Sequence, residues 1–142
     1  MTTKDQAKTA SPLAHILSML YKIDRLRLPT ASRCDVESIL VRQVTKELDQ
    51  ALPWQEEHGR RTAALAVSMG KITGLSSEAL HSLELASLLH DVGLLTIPPA
   101  LLSKPSPLDA DTYIAVQCHS RIGAELLGPF HFLREASLLI AH

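Results

Sequence analysis

Apolar residues recur at intervals of three and four along most of this sequence, and this periodicity restricts the fold more than any other feature. The clearest stripes cover residues 13–26 and 35–52. Side chains spaced in this way line one face of an α-helix, whereas a strand would need strict alternation. Gly74 and the Gly128-Pro129 pair interrupt the pattern, as expected of residues that end helices. We predict an all-α fold of five to seven helices.

The ends of the predicted helices follow from capping residues and prolines. The stripe over 35–52 is expected to be buried and consists of Val36, Ile39, Leu40, Val44, Leu48 and Leu52. A third helix is predicted from about Trp54 past Met69, and a last one over 133–142. Residues 96–99 contain two prolines and are predicted not to be helical. The predicted N-caps of later helices are Ser76 or Ser77 and Asp109 or Asp111.

Composition excludes several classes of function. With 46% hydrophobic residues, the 142-residue chain can bury the core of one domain, with or without a helical extension. Its 14 basic and 15 acidic residues nearly cancel, which argues against binding to a nucleic-acid polymer or a membrane surface. No apolar stretch reaches the roughly 18 residues of a transmembrane helix. Cys34 and Cys118 are far apart in the sequence and favour a reducing, cytoplasmic setting.

The segment 84–93 is an apolar helical run that ends in the adjacent residues His90 and Asp91. Burying an imidazole and a carboxylate costs free energy unless another group compensates them. A lone buried histidine is usually satisfied by a backbone carbonyl, but a buried aspartate without a cation is much rarer. A divalent metal ion provides the compensation, and such a carboxylate can bridge two ions. The pair therefore indicates a metal site.

Three further histidines are candidate ligands, namely His58, His119 and His142. Taken alone, His58 lies in a charged run and is better explained as a surface residue, whereas His119 could interact with a helix dipole. His142 ends an apolar run and resembles His90 in its context. These three histidines and the His90-Asp91 pair lie on separate predicted helices or helix ends. This combination favours one shared metal site.

Two neighbouring residues are weaker candidates. Adjacent helical residues point about 100° apart, so only one of Cys118 and His119 can face the site. We favour His119 over a thiolate ligand or nucleophile at Cys118. His81 precedes His90 by nine residues, which places it on the opposite face of the same helix, where solvent is expected.

These motifs resemble the HD superfamily of metal-dependent phosphohydrolases, and in particular its HD-GYP branch, which hydrolyses cyclic di-GMP. The segments that carry the resemblance are His58-Gly59-Arg60-Arg61-Thr62, Leu88-Leu89-His90-Asp91-Val92-Gly93, Ile97-Pro98, Leu101-Leu102-Ser103-Lys104-Pro105, Leu108, His119-Ser120-Arg121-Ile122-Gly123-Ala124-Glu125-Leu126-Leu127 and Ala141-His142. The likeness implies an HD-domain helical bundle. It also implies a ligand set of His58, His90, His119 and His142, with Asp91 as the bridging carboxylate.

The resemblance also implies a reaction. One or two divalent ions, iron or manganese with zinc as an alternative, would activate a water that attacks a cyclic dinucleotide or another phosphodiester. Arg61 and Lys104 are the nearest candidates for contacts to the substrate phosphate. Each could equally be a solvated surface charge.

Several positions depart from the HD-GYP pattern. The Gly-Lys that follows the His-Asp pair in the family is Gly93-Leu94 here, and a leucine cannot contact a phosphate as the lysine does. Trp54 stands where some members have an extra glutamate ligand, and Pro99 replaces an aspartate. The chain stops at His142, before the second histidine of the His-His-Glu motif and the Gly-Tyr-Pro signature. We therefore expect a domain that is truncated at its C-terminal end.

Two functions remain open at this point. One is a phosphodiesterase of weak or no activity, and the other is a catalytically degenerate HD-like module for signalling, binding or oligomerisation. We expect residues 48–142 to form the HD-like domain. Residues 1–47 are expected to form a loose tail and a helical extension through which a homodimer could assemble.

Overall fold

The structure, a computed structural model, describes residues 11–142. The start of the predicted loose tail, residues 1–10, lies outside the described residues. Helices account for most of the chain from Pro12 onward, and no strand occurs within residues 11–142. The prediction of an all-α fold is confirmed.

Eight α-helices, joined by short loops and 3₁₀ turns, make up the described part of the chain. They are α1 (Pro12–Asp24), α2 (Arg33–Ala51), α3 (His58–Ile72), α4 (Ser77–Leu89), α5 (Pro99–Leu102), α6 (Ala110–Gln117), α7 (His119–Leu127) and α8 (Arg134–Ile140). The number exceeds the predicted five to seven for two reasons. Pro99 opens a one-turn helix, a position that proline tolerates well, and Cys118 separates α6 from α7.

Several predicted capping signals are confirmed. The Ser76 hydroxyl accepts a hydrogen bond from the Ala79 N–H at 3.2 Å at the start of α4. At the start of α6, the Asp109 carboxylate accepts one from the Thr112 N–H at 2.8 Å. Gly74, just beyond α3, has a φ of 78°, which glycine adopts without the steric cost of a side chain.

Two local predictions are wrong. The third helix begins at His58 rather than near Trp54, because Glu57 adopts a left-handed φ of 57° that a continuous helix cannot contain. Ile39 was expected in the buried stripe of α2, but it is 58% exposed, whereas Val41 is fully buried. The buried face of α2 includes Glu37 and Val41. Because one of these residues is a glutamate, a search for periodic apolar residues does not identify this face.

The core is arranged around α4, which packs against α2, α3 and α8. Its last five residues, 85–89, are all buried. Burial of leucines such as Leu85, Leu88 and Leu89 stabilises the fold by roughly 1.5–3 kcal/mol each. The residues that follow α4 therefore lie in the interior of the bundle. No helix of residues 11–142 has the length and apolar character needed to cross a bilayer.

The proposed division of the chain at residues 47 and 48 falls within α2, so the extension and the domain would share one helix. The extension packs onto the rest of the bundle, since α1 contacts α2 and the 3₁₀ turn at Val92–Thr96. The division into two parts stays a prediction.

Candidate metal centre

The site begins where α4 ends. His90 caps the C-terminus of α4, Asp91 follows it, and the chain then turns through the 3₁₀ segment Val92–Thr96. Val92, Gly93 and Leu94 are all buried, so the turn lies against the core. Only 9% of the Asp91 side chain is exposed, compared with 29% of the His90 side chain. A carboxylate and an imidazole therefore lie side by side at the edge of the interior.

The packing of α3 on α4 brings a second imidazole to this pair. His58 is the first residue of α3, and its Nε2 lies 3.2 Å from Nε2 of His90. The same atom lies 3.6 Å from Oδ2 of Asp91, and Nε2 of His90 lies 3.1 Å from that oxygen. His58, which its own sequence context favours as a surface residue, is thus part of the cluster, with 43% of its side chain exposed.

A third imidazole approaches the other oxygen of the same carboxylate. His119 is the first residue of α7, which packs against the 3₁₀ segment after Asp91. Its Nε2 lies 3.3 Å from Oδ1 of Asp91. The two carboxylate oxygens therefore face different histidines, with Oδ2 toward His58 and His90 and Oδ1 toward His119. This is the arrangement in which one carboxylate can bridge two ions.

Backbone carbonyls hold two of the rings in the orientation that a metal ligand needs. Nδ1 of His90 donates to the Ser87 carbonyl at 2.8 Å, and Nδ1 of His119 donates to the Val116 carbonyl. In a neutral imidazole with its proton on Nδ1, Nε2 carries the free lone pair. In metal-bound histidines, a hydrogen bond from the ring nitrogen that does not bind the metal fixes the tautomer in this way. Without metal, the Nε2–H of a protonated His90 donates to Asp91; once that proton leaves, as metal binding requires, the Nε2 atoms that face Asp91 can act as ligands.

The electrostatics of the cluster favour an ionised carboxylate. Burial by itself raises the pKa of the Asp91 carboxyl, but the His90 hydrogen bond and the charges of His90, His119 and His58 lower the pKa below its ordinary value. The hydrogen bond to Asp91 raises the pKa of His90, and this outweighs the opposite effect of burial. The centre is thus a fixed negative charge surrounded by imidazoles.

The residues present are suited to a divalent ion. The ligand atoms of His58, His90 and Asp91 all lie within 4.8 Å of one another. Two nitrogens that are each about 2.1 Å from one ion lie roughly 3.0–3.4 Å apart at octahedral or tetrahedral angles. The Nε2 atoms of His58 and His90, 3.2 Å apart, match that range. Imidazole and carboxylate ligands are typical of iron, manganese and zinc sites.

The structure does not bring every predicted site residue to this point. His142 is exposed at the end of the chain beyond α8, and no hydrogen bond or ion pair joins it to the cluster among the described contacts. The Arg61 guanidinium donates to the Glu56 carbonyl at 2.9 Å. Lys104 is exposed in the loop before α6. The roles predicted for these three residues stay predictions.

One prediction about α4 is wrong. His81 does not face solvent: α2 covers it, and only 13% of the His81 side chain is exposed. Its Nε2 lies 2.9 Å from Oε2 of Glu37, and its Nδ1 lies 3.3 Å from the Ser38 hydroxyl. Ser38 in turn donates to Glu84 at 2.8 Å. This polar contact joins α2 to α4, the helix that ends at the candidate metal site.

Sequence reasoning also missed two neighbours of the cluster. Asp49 and Gln55 line a cavity of about 10 Å³ that is also lined by His90 and Asp91. A volume of this size holds about one water molecule. Neither residue has a periodicity or motif that would have identified it, because both reach the site through the packing of α2 and the turn after it.

In residues 11–142, the fold is all-helical and the site is a histidine–aspartate cluster that could hold a metal ion. The family model described as "HD domain" matches residues 42–142, and the chain belongs to this family. The resemblance inferred from the motifs is thereby confirmed.

Three curated relatives show which members of the family are similar. The chain is 36% identical to the 3'3'-cGAMP-specific phosphodiesterase 2 of Vibrio cholerae over 70 residues, which cover 49% of this chain and 13% of the relative. It is 39% identical to the cyclic di-GMP phosphodiesterase response regulator RpfG of Xanthomonas campestris pv. campestris over 67 residues, which cover 47% and 18%. It is 36% identical to the 3'3'-cGAMP-specific phosphodiesterase 1 of Vibrio cholerae over 64 residues, which cover 45% and 15%.

Each match spans less than a fifth of the length of the relative. The activities in these names belong to much longer proteins. No solved structure matches this chain significantly.

Proposed function

We propose that this chain is an HD-GYP-like metal-dependent phosphohydrolase domain whose ancestral reaction is the hydrolysis of a cyclic dinucleotide phosphodiester. The single observation that supports this proposal is the Asp91 carboxylate, which presents one oxygen to His58 and His90 and the other to His119. Two of the relatives carry cGAMP in their names and one carries cyclic di-GMP, so these are the substrates to test first.

In this proposal His58, His90, His119 and His142 bind metal, and Asp91 is the bridging ligand. The bound ions, iron or manganese with zinc as an alternative, would supply an acidified water as nucleophile. The chain's own contribution is to hold the ligands. Asp91 keeps its charge because its pKa is lowered, and the carbonyl partners of His90 and His119 keep both rings in the metal-binding tautomer.

The expected activity of this chain is weak or absent. Phosphodiester hydrolysis needs a cation on the non-bridging oxygens as charge develops in the transition state. At the position of the lysine in the family pattern stands Leu94, which is 6% exposed and belongs to the hydrophobic core. Loss of one such electrostatic contact typically costs about 10²–10³ in rate. Arg61 and Lys104 are the residues we propose as substitutes for that contact.

A second candidate function is a degenerate HD-like module for signalling, binding or oligomerisation. Besides Leu94, an exposed apolar face on α3 favours it. Leu65, Met69 and Ile72 are spaced by four and three residues and are 64%, 59% and 87% exposed. Contiguous exposed apolar side chains on one helix face are typical of interaction surfaces. A homodimer through the N-terminal helices and a cytoplasmic setting belong to this proposal as well.

The two functions can be separated by metal content and turnover. The purified chain would be loaded anaerobically with Fe²⁺, Mn²⁺ or Zn²⁺, and its metal content would be measured by mass spectrometry. Hydrolysis of cyclic di-GMP, 3'3'-cGAMP and bis(p-nitrophenyl) phosphate would then be followed, with Asp91→Ala as the control. Metal binding with slow turnover that Asp91→Ala abolishes supports the enzyme. Metal binding without turnover supports the degenerate module, and a chain that binds no metal contradicts the metal site itself.

A further inference from the structure

Gly93 makes an unusually close backbone contact with α7. A Cβ atom built at this position would lie 2.0 Å from the carbonyl oxygen of His119 and 2.9 Å from the amide nitrogen of Gly123. Side chains can rotate away from such a clash, but both of these atoms are backbone. Only a residue without a side chain lets the first turn of α7 rest directly on the turn that follows Asp91.

This contact involves the same residue whose ring reaches the metal centre. His119 supplies both the carbonyl oxygen against Gly93 and the Nε2 atom 3.3 Å from Oδ1 of Asp91. A Cβ at residue 93 would have to separate from that carbonyl by about 1.4 Å to reach the 3.4 Å of an ordinary contact. Metal–ligand distances are expected to lie within about 0.2 Å of their usual values. A backbone displacement of that size would carry the His119 ring away from its position beside Asp91.

The 3₁₀ turn that carries Gly93 is itself held in place. Its neighbours Val92 and Leu94 are buried, and the Thr96 hydroxyl donates to the Gly93 carbonyl at 2.7 Å. Movement of either partner, the turn or α7, changes the distance between His119 and Asp91. The absence of a side chain at residue 93 therefore bears directly on the geometry of one half of the centre.

We propose that Gly93 is a positioning residue for His119: the missing side chain seats the first turn of α7 so that the His119 imidazole meets Oδ1 of Asp91. The inference rests on the proposed function only in taking His119 as a metal ligand. It assigns to Gly93 no contact with metal or substrate. The backbone contact of Gly93 is with the α7 side of the centre, and His58 and His90 are not among the atoms that a Cβ at residue 93 would meet.

The same contact offers a matched control. A Cβ at Gly123, on the α7 side of the interface, would lie 3.4 Å from the Gly93 amide nitrogen and 3.4 Å from a methyl group of Val92. These are ordinary van der Waals distances. Gly123→Ala adds the same methyl group to the same interface as Gly93→Ala but has space for it.

The first measurement is metal binding by Gly93→Ala, Gly123→Ala and His119→Ala, using Mn²⁺ or Zn²⁺ with isothermal titration calorimetry. We expect Gly93→Ala to resemble His119→Ala, with affinity at the His119 half weakened by at least about 10–100-fold and affinity at the His58–His90 half reduced less. Gly123→Ala should bind like the unmodified chain. In a chain that binds metal, equal affinity of Gly93→Ala and Gly123→Ala would overturn the proposal.

The second measurement needs no metal and separates this inference from the proposed function. In ¹⁵N-labelled metal-free protein, the His119 ring signals should respond to Asp91→Asn because the two side chains are in contact. Asp91→Asn should shift the His119 ring signals equally in the Gly123→Ala background. In the Gly93→Ala background it should no longer shift them. A retained response in Gly93→Ala would overturn the inference even if the chain binds no metal. A Gly93→Ala chain without helical circular dichroism would also overturn it, since Gly93 would then be required by the whole fold.

Discussion

Replacing Asp91 with alanine should abolish the metal site while the helical fold persists. The carboxylate is 9% exposed and lies 3.1 Å from His90 Nε2, 3.3 Å from His119 Nε2 and 3.6 Å from His58 Nε2. Removing it takes one ligand from the centre and also the negative charge that the three imidazoles share. No other residue of the cluster can replace that charge, because all the others are histidines.

The magnitude follows from the place of Asp91 at the middle of the cluster. Loss of a partner that merely orients a ligand typically costs 10–100-fold in metal affinity. Asp91 is a direct and central ligand in our proposal, so we expect at least about 100-fold weaker binding, which corresponds to about 2.7 kcal/mol of binding free energy. The matched control is Cys118→Ala. Cys118 adjoins His119 in the sequence but contributes no atom to the cluster.

The assay is metal content after exhaustive dialysis, together with a competition titration against a chromogenic chelator. Circular dichroism of the metal-free proteins checks that each variant is folded. We expect Cys118→Ala to retain the affinity of the unmodified chain and Asp91→Ala to lose it. Equal affinity in the two folded variants would refute the central role of Asp91 and with it the bridging arrangement.

Four further predictions follow from other features of the structure. Metal affinity should fall as the pH drops through about 6.5, since a protonated imidazole cannot coordinate. Because the pKa of His90 is raised, protons should begin to compete with the metal for this residue at a higher pH. Metal titrations at several pH values would measure the effect. Burial raises the pKa of Glu84, but hydrogen bonds from Arg42 and Ser38 lower it below the ordinary value. Its stabilisation is thus present at neutral pH and lost as the pH falls through the folded-state pKa, so Glu84→Gln should flatten the acid side of a urea-stability profile. Leu94→Lys should lower stability by roughly 1–3 kcal/mol in urea unfolding without restoring turnover, because position 94 faces the core. If His142 is a ligand, His142→Ala should weaken metal binding at least about tenfold, and unchanged binding would remove it from the set.

Local features of this chain were predictable because their causes lie within a few residues. A helix forms where apolar side chains recur at intervals of three and four, and it starts or ends where a side chain or a glycine satisfies its terminal groups. Ser76, Gly74 and Asp109 act through such contacts, and all three are confirmed. The apolar run that ends in His90-Asp91 likewise indicated that these two polar residues lie at the edge of the interior.

Which face of a helix meets which neighbour could not be predicted in the same way. His81 is predicted to face solvent, and the sequence contains no local sign that α2 covers it and pairs Glu37 with His81. The same is true of Ile39, which fits the periodic stripe of α2 and yet lies 58% exposed. Burial is a property of two packed surfaces, whereas periodicity describes only one.

The sequence by itself therefore determined the helical class, most helix ends and the types of residue available for a metal site. Tertiary structure alone decided that His58 and His119 approach different oxygens of Asp91. That geometry depends on how α3 and α7 pack around the end of α4, and on the close backbone approach at Gly93. Distances of about 3 Å between side chains far apart in sequence depend on all of these packing contacts together. The residue pattern of a single helix does not specify them.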